Sequence, residues 1–600
     1  MMIQKPAREA PASSLLEYET NASHPAVYDE PVLAVGNIQG NILGGFNKDF
    51  QTLLFLKIVN VTDFQAWLYS LIPFIATAEE VLAFNRLFKE IRKRRGESRT
   101  VQATWINIAF SFNALTQLKE DAANFTDEAF KEGLAARSHD LGDPIDLDAE
   151  GNKHNWVVGG PNNEADVVLI IASDDRSDLF AEVARIEESI YAARTADGKP
   201  GRSGVQVIYK QHGVVLPPPL KGHEHFGFLD GVSQPGLRGR VSNAPNDVLT
   251  PRQNPENPNQ GKPGQNLLWP GEFVFGYPSQ DPNANSITVP GEVAHAGPEW
   301  AKDGSFLVFR RLRQDVPGFH KFLDHTAQHF GIDSNLFGAK CVGRWASGAP
   351  ILRAPEADNK ELADNDCANN NFEFRGEDED AKKPEEFPSH LENKHSEGLC
   401  KKDEFPEAKP DPKGLVCPFA GHIRKAYPRD DEFDSVGEGE KSQLNEVSTQ
   451  THRLLRRGIP FGEPFRPSDD PSFQDSGDRG LLFLAYQTSI IEQFEFVTKF
   501  WVNNPDFKEP GSGHDPILGQ NNQDKNRDRK FKFTVDKDGK PETHEVTLHA
   551  DWVIPTGGGY FFAPSISALK FLSGTEHEDC HAVTPEEYTA LIEENIPDRD

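Results

Sequence analysis

Between Gly227 and Gly239 the chain reads Gly-Phe-Leu-Asp-Gly-Val-Ser-Gln-Pro-Gly-Leu-Arg-Gly, which sets one carboxylate, Asp230, on a tight turn between apolar residues. Glycines around the Phe-Leu-Asp triplet let the backbone take φ values closed to other residues and let a flat ligand approach the main chain. Asp230 then points into a site, where a carboxylate can move protons. Taken alone, Asp between glycines is more often a turn former. A second segment, Cys417-Pro-Phe-Ala-Gly-His-Ile-Arg-Lys-Ala-Tyr-Pro-Arg429, places His422 after an apolar turn, followed by Arg424, Lys425 and Arg429. Those cations suggest an anionic ligand nearby, although most histidines bind no metal. A third segment, His452-Arg-Leu-Leu-Arg-Arg-Gly-Ile-Pro-Phe-Gly462, brings Arg456 and Arg457 into a Gly-Ile-Pro turn. In isolation that is a solvated basic loop.

The elements that must hold these residues follow from hydrophobic periodicity. Phe50 to Val59 reads as a strand, Asp63 to Ile75 as a helix and Val101 to Phe110 as a strand. A second round runs from a strand at Asp166 to Ala172, through a helix at Ser177 to Ala193 with apolar positions Leu179, Phe180, Val183, Ile186 and Ile190, to a strand at Val205 to Tyr209. The order β-α-β-β-α-β is the split unit of a ferredoxin-like sandwich, helices on one face of an antiparallel sheet. Residues 243–297 are dense in Pro, Asn and Gly and read as loop rather than core. Beyond them Ser305 to Arg310 and Gly480 to Gln487 are strand-like, and Val316 to Phe330 and Ile490 to Val502 are helical, which allows a second ferredoxin-like unit. An acidic stretch at 354–413 interrupts it, too polar to build a core and expected as a surface insertion.

Composition narrows the partners. The 63 basic and 93 acidic residues give a formal charge of -30, which repels nucleic acid and anionic membrane surfaces. Met1 to Glu17 has no basic and apolar leader pattern, and no apolar run is long enough to cross a membrane. The expectation is a soluble cytoplasmic protein, or a secreted one whose signal has been removed. Five cysteines, at 341, 367, 400, 417 and 580, are too dispersed for a zinc knuckle and read as thiols with at most one local bridge. The only methionines are Met1 and Met2, so the interior carries no thioether for an oxidant to attack.

The three segments together resemble the dye-decolourising peroxidases, a haem family of two ferredoxin-like domains, and are closest to its longer branch of fungal enzymes and their bacterial relatives. Gly227 to Gly231 matches the family's Gly-x-x-Asp-Gly signature, and the likeness runs from Asn37-Ile-Gln-Gly-Asn-Ile-Leu43 to Gly558-Gly-Tyr-Phe-Phe562. The resemblance implies an α+β fold. Its N-terminal ferredoxin-like domain would span 30–240, its connecting loops 241–297 and its C-terminal domain 298–600. The C-terminal domain would hold one haem b. It implies His422 as the ligand of the haem iron, Asp230 as the acid–base carboxylate and Arg456 as the cation beside it, with Arg457 pointing away. It implies Leu481 and Phe483 as the apolar lining, Arg429 as a propionate partner and Asp515 as the acceptor for the second imidazole nitrogen. Hydrogen peroxide would be reduced, and phenols or bulky dyes oxidised at the haem edge or through residues such as Trp345, Tyr486 and Trp501. A haem-binding or haem-trafficking protein with weak peroxidase turnover is the alternative, and a cofactor-free acidic protein a third. Oligomeric state is open.

Overall fold

The computed structural model of the chain describes residues 30–96, 101–191, 203–376, 398–431, 433–434, 443–444, 446–466, 475, 477–522 and 526–574. Met1 to Glu17, the expected helix end at Ala193, the middle of the acidic stretch, Cys580 and the end of the 298–600 unit lie outside them.

The N-terminal half follows the expected order. Strand β1, Phe50–Ile58, is buried along nearly its whole length, as its Leu-Leu-Phe-Leu run requires. Helix α1, Val61–Leu71, begins where the Asn60 side chain accepts the Asp63 N–H, and α2, Ala78–Arg95, opens with a capping box between Thr77 and Glu80. Strands β2, Thr104–Phe110, and β3, Val167–Ser173, lead to α3, Arg176–Tyr191, which buries Leu179, Val183, Ile186 and Ile190 as one stripe. Phe180 falls off that stripe and is exposed. Strand β4, Val205–Val214, closes the unit.

In the C-terminal half β5, Ser305–Gln314, precedes α4, Val316–Phe330, and α5, Ser334–Val342. After the short helix α6, His422–Ala426, come β6, Leu455–Arg456, β7, Ile459–Phe461, and β8, Gly480–Gln487. Two wide helical segments, Ile490–Glu495 and Val497–Val502, a hairpin of β9, Arg529–Lys537, and β10, Lys540–Leu548, and a long strand β11, Val553–Ala563, complete it.

The large sheet runs β6-β8-β5-β11-β2-β3-β1-β4, with β7 also paired to β8. Its ladders are antiparallel. Each half therefore shows the ferredoxin-like order, second-third-first-fourth strand, and in the C-terminal half the second strand is split into β6 and β7 at Arg457 and Gly458. The halves meet at β11 and β2 through one register pair, Phe562 with Phe110. Main-chain bonds from Val157 to Thr556 and from Gly558 to Val158 add to it, and side chains join the halves further. Leu54, Ile108 and Leu169 share one core with Phe306, Val308 and Tyr560 beneath the helices, and Leu53, Phe55 and Ile170 share a second with Leu307, Phe309 and Leu482 on the opposite face. The sheet curls until β4 returns to β7. A Cβ on Gly213 would stand 2.6 Å from Ile459 Cγ2, so only glycine permits that approach.

Two expectations about loops need correction. Within 243–297 the residues Leu267, Leu268, Trp269, Phe273, Val274 and Phe275 are buried, because turns rich in Gly and Pro can still deliver side chains into a neighbouring core. In the acidic stretch Leu362, Ala363, Ala368, Phe372 and Phe374 pack with Trp345, Ile351 and Leu352, and Cys367 bridges Cys400. A charged average composition concealed these apolar positions. Among the described residues no helix is long and apolar enough to cross a membrane.

Candidate active site

The face of the C-terminal sheet that carries Arg310 and Leu312 on β5 and Leu481 and Phe483 on β8 opens into a cavity of about 310 Å³. Asp230, Arg456 and His422 all line it, near enough for their charges to interact. Its size falls at the lower end of the range typical of small-molecule pockets, and much of its wall is apolar. Residues that lie 34 to 226 positions apart in the chain thus converge on one space.

On one side of that space Arg456 Nη1 donates to Asp230 Oδ1 at 2.8 Å, and the Gly231 N–H donates to the same oxygen at 2.6 Å. The glycines have the role expected of them: Gly227 and Gly231 sit at φ 95° and 77°, in the left-handed region. Arg456 is fixed in turn. Its Nη2 donates to the Ser233 carbonyl at 3.1 Å, and its main chain pairs with the Gln234 side chain in both directions. Burial pushes the Asp230 carboxyl up, but the charge and hydrogen bond of Arg456 and the Gly231 N–H outweigh it, so the group is held below the ordinary aspartate range. Asp230 is therefore ionised near neutral pH. The area it leaves open faces the cavity.

His422 begins α6, and its Nδ1 lies 2.7 Å from Asp515 Oδ2. Asp515 is fully buried, and its other oxygen accepts the N–H groups of Ile517 and Leu518 at 2.7 and 3.0 Å. A carboxylate so placed keeps the proton on Nδ1 and leaves Nε2 basic and free for a metal. Asp515→Asn is expected to weaken retention of a His422-bound metal cofactor by about 10–100-fold. Transfer of the cofactor to a scavenging protein measures this, and an unchanged transfer rate would mean that Asp515 only packs.

The basic residues after His422 behave differently from the expectation of a shared anionic ligand. Arg424 is buried against Asp431 and the Asp411 side chain, and Lys425 donates to the carbonyls of Asn504 and Phe507 at 2.6 Å. Their charge is consumed in holding the His422 loop, because a buried cation must find acceptors. Arg429 does reach the cavity wall, but its donors go to the Asn370 and Phe372 carbonyls and the Asn370 side chain. Arg453 is freer: it lines the cavity, sits 3.5 Å over the Tyr427 ring and donates to Gln450 Oε1. It was not singled out from sequence, though it stands three residues before Arg456. Arg457 points away from the cavity to the carbonyls of Asn41, Ile42 and Leu43.

Glu224 is a second carboxyl of the cavity that the sequence reading passed over. It accepts the N–H groups of Phe226 and Phe228 at 2.8 and 2.9 Å and the Gln314 amide, so it fastens the turn that delivers Asp230. Burial, opposed by those donors, pushes it up to about 7. The only signal was its position six residues before Asp230. Trp345, Tyr486 and Trp501 are buried, at 4, 1 and 1% exposure, so none meets a reductant at the outer surface.

The residues present suit a haem. An imidazole with one nitrogen held by a carboxylate, a largely apolar lining and arginines in the wall, Arg453 among them, suit an iron porphyrin with two carboxylates. Comparison with known proteins points the same way. The family described as the DyP dimeric alpha+beta barrel domain matches residues 37–201. Peroxidase 2 of Mycetinis scorodonius is 31% identical over 550 residues, covering 90% of this chain and 87% of that protein. The dye-decolorizing peroxidase of Mycena epipterygia is 30% identical over 560 residues, covering 91% and 88%. A solved structure of an ancestral D-type dye decolorizing peroxidase is 34% identical, superposes with a TM-score of 0.67 and shares 90% of this chain and 99% of its own.

Proposed function

This chain belongs to the dye-decolourising peroxidase family and is a peroxidase that acts on dyes; from that premise we propose that it reduces hydrogen peroxide with Asp230 and Arg456, over a haem b that His422 holds in the C-terminal half. The observation that carries this reading is the convergence of the Arg456–Asp230 pair and the His422–Asp515 pair on one apolar cavity. When bound, haem supplies the iron at which peroxide is cleaved and stores the oxidising equivalents that reductants remove one electron at a time.

The chain's own residues do the rest. Ionised Asp230 takes the proton from one peroxide oxygen and hands it to the other, so that the O–O bond breaks with water as the leaving group. Arg456 keeps the carboxylate aimed and offers a permanent cation to the negative charge that develops as the bond lengthens. Asp515 holds the His422 tautomer and raises the basicity of the ligating nitrogen. Leu481 and Phe483 line the cavity and would narrow the space left to peroxide, and Arg429 and Arg453 stand in its wall, Arg453 the freer of the two to meet a haem carboxylate. Phenols and bulky dyes are the reductants we assign, each giving up one electron per step. The Cys367–Cys400 bridge supports an oxidising compartment rather than the cytoplasm.

A haem carrier would need His422 but not the opposed carboxylate and guanidinium, so the Asp230–Arg456 pair weighs against that alternative. The deciding experiment is the absorption spectrum of haem-loaded protein before and after a single equivalent of hydrogen peroxide, in the parent and in His422→Ala. A Soret band that changes promptly with peroxide in the parent and is weakened or shifted in the variant supports the reading. A parent that binds haem yet responds only over minutes is a carrier, and one that takes up no haem has no peroxidase site in this cavity.

A further inference from the structure

Arg457, which the mechanism above leaves unused, is bound more firmly than its neighbour Arg456. Its Nε donates to the Asn41 carbonyl, and its Nη2 to the carbonyls of Ile42 and Leu43, each at 2.9 Å. These carbonyls belong to a single helical turn, Gly40–Leu43, inside the Asn37 to Leu43 segment of the N-terminal half. Carbonyls at the end of a helix have no partner within it, and a guanidinium fork can satisfy several at once. The turn is itself anchored, since the Asn41 N–H donates to Asn107 Oδ1 on β2 at 2.7 Å and its side-chain oxygen accepts the Phe46 N–H at 3.1 Å. The remaining Arg457 nitrogen, Nη1, turns back to the carbonyl of Arg456 at 3.0 Å, which also accepts from Gln234 Nε2 at 3.1 Å. Gly45 makes room for this grip: it sits at φ 65°, and a Cβ there would stand 2.9 Å from Arg457 Nε.

Neighbouring residues of a strand face opposite sides of its sheet. Leu455 and Ile459 lie in the core with Leu482 and Leu484, whereas Arg456 lines the cavity on the other face. Arg457 falls between Leu455 and Ile459 in this alternation. Its N–H donates to the Leu484 carbonyl at 2.7 Å, and the register is the same on both sides of it, Arg456 opposite Ala485 and Ile459 opposite Leu482. Yet β6 has only two residues and lies at the edge of the sheet, so its ladder fixes that register weakly. A slip by one residue would exchange the two arginines between the faces. Size and charge do not distinguish them. What does is that one face offers carbonyls to a fork and the other offers the carboxylate of Asp230.

Building on the haem peroxidase reading above, we propose that Arg457 is a positioning residue for Arg456: anchored on the carbonyls of Asn41, Ile42 and Leu43, it holds the edge strand in the register that aims Arg456 at Asp230. Peroxide cleavage in the C-terminal half then depends on a helical turn of the N-terminal half. Arg457 touches neither peroxide nor cofactor. It acts through the Arg456 carbonyl that it holds and through the face of the strand that it occupies. The Asn37 to Leu43 segment, which carries part of the family likeness but lies outside the cavity, gains a function in the same stroke.

The test is a double-variant cycle on haem-loaded, full-length protein. Arg457→Gln is expected to slow the Soret change with peroxide by about 10²-fold, as misplacement of a positioned group by about 1 Å does. It should also move the acid limb of that rate to higher pH, because Asp230 loses part of its cation while His422 and Glu224, the other titratable groups it feels, stay untouched. In an Arg456→Leu background the same substitution should cost nothing further, since Arg457 then has no cation to aim. Fluoride binding to the ferric protein reads that cation without turnover: its Kd should rise in Arg457→Gln and in Arg456→Leu, and no further in the double variant. Gly45→Ala, which crowds Arg457 Nε and removes no charge, should move all three readings in the same direction and replaces Arg457→Gln in the cycle if that variant takes up too little haem. Equal losses from Arg457→Gln in both backgrounds would show that it merely supports the fold. A rate, acid limb and fluoride Kd unchanged in both Arg457→Gln and Gly45→Ala, with Arg456→Leu impaired, overturn the positioning role alone. Arg456→Leu at the parent's rate would instead sink the peroxidase reading, and the positioning role with it.

Discussion

Asp230→Asn is expected to lower kcat/KM for hydrogen peroxide by about 10³-fold, the middle of the range for removing a positioned general acid–base group. The substitution is nearly isosteric. An amide oxygen can still accept from Arg456 Nη1 and the Gly231 N–H, so the turn and the haem cavity should stand as they are. On the proposed mechanism, what vanishes is the ability to take a proton from one peroxide oxygen and give it to the other. The measurement is a stopped-flow trace of the Soret change against peroxide concentration. Normal haem content with a second-order rate within tenfold of the parent would remove Asp230 from the proton-transfer role, and the glycine-flanked carboxylate would then be a turn residue after all.

Arg456→Leu is expected to cost about 10²–10³-fold in the same rate, comparable to loss of one preorganised electrostatic donor. It should also displace the pH profile. Arg456 is the chief influence holding Asp230 below its ordinary range against the upward push of burial. On the proposed mechanism Asp230 works in its ionised form, so activity is lost as pH falls through its folded-state pKa. Removing the cation raises that pKa, and the acid limb must move to higher pH; a limb that stays in place would mean that another group sets it. Because the two side chains form one hydrogen-bonded unit, the double variant should lose far less than the product of the two single losses.

The sequence made the chemistry easier to read than the architecture. Gly227 to Gly231 and the arginines at 456 and 457 carry local signatures, and Asp515 could be named because one imidazole nitrogen needs an acceptor and a family likeness offered a place to look. Helices with a clean apolar stripe, α3 and α4, were legible to within a few residues. Helix α2 was not, because its charged residues outnumber the apolar ones and it is held by its capping box and a few contacts. Neither was the split second strand of the C-terminal half, since β6 and β7 together have five residues and owe their form to β8. Arg453 and Glu224 escaped for a different reason. An arginine over a tyrosine ring and a carboxyl gripping two backbone N–H groups are relations between distant segments, and periodicity does not report them.

The single register pair between Phe110 and Phe562 has a thermal corollary. The two halves are joined by aromatic and aliphatic contact and by ion pairs such as Arg310–Asp143 and Arg137–Glu495 rather than by a long ladder of backbone hydrogen bonds. Apolar cohesion fades on cooling while backbone ladders persist, so the apolar share of the seam between the halves should weaken in the cold. Leu141 and Asp143, from the N-terminal half, complete the cavity wall that β5 and β11 provide. Cooling should therefore slacken the apolar contacts behind the cavity while the Arg310–Asp143 pair continues to hold its wall.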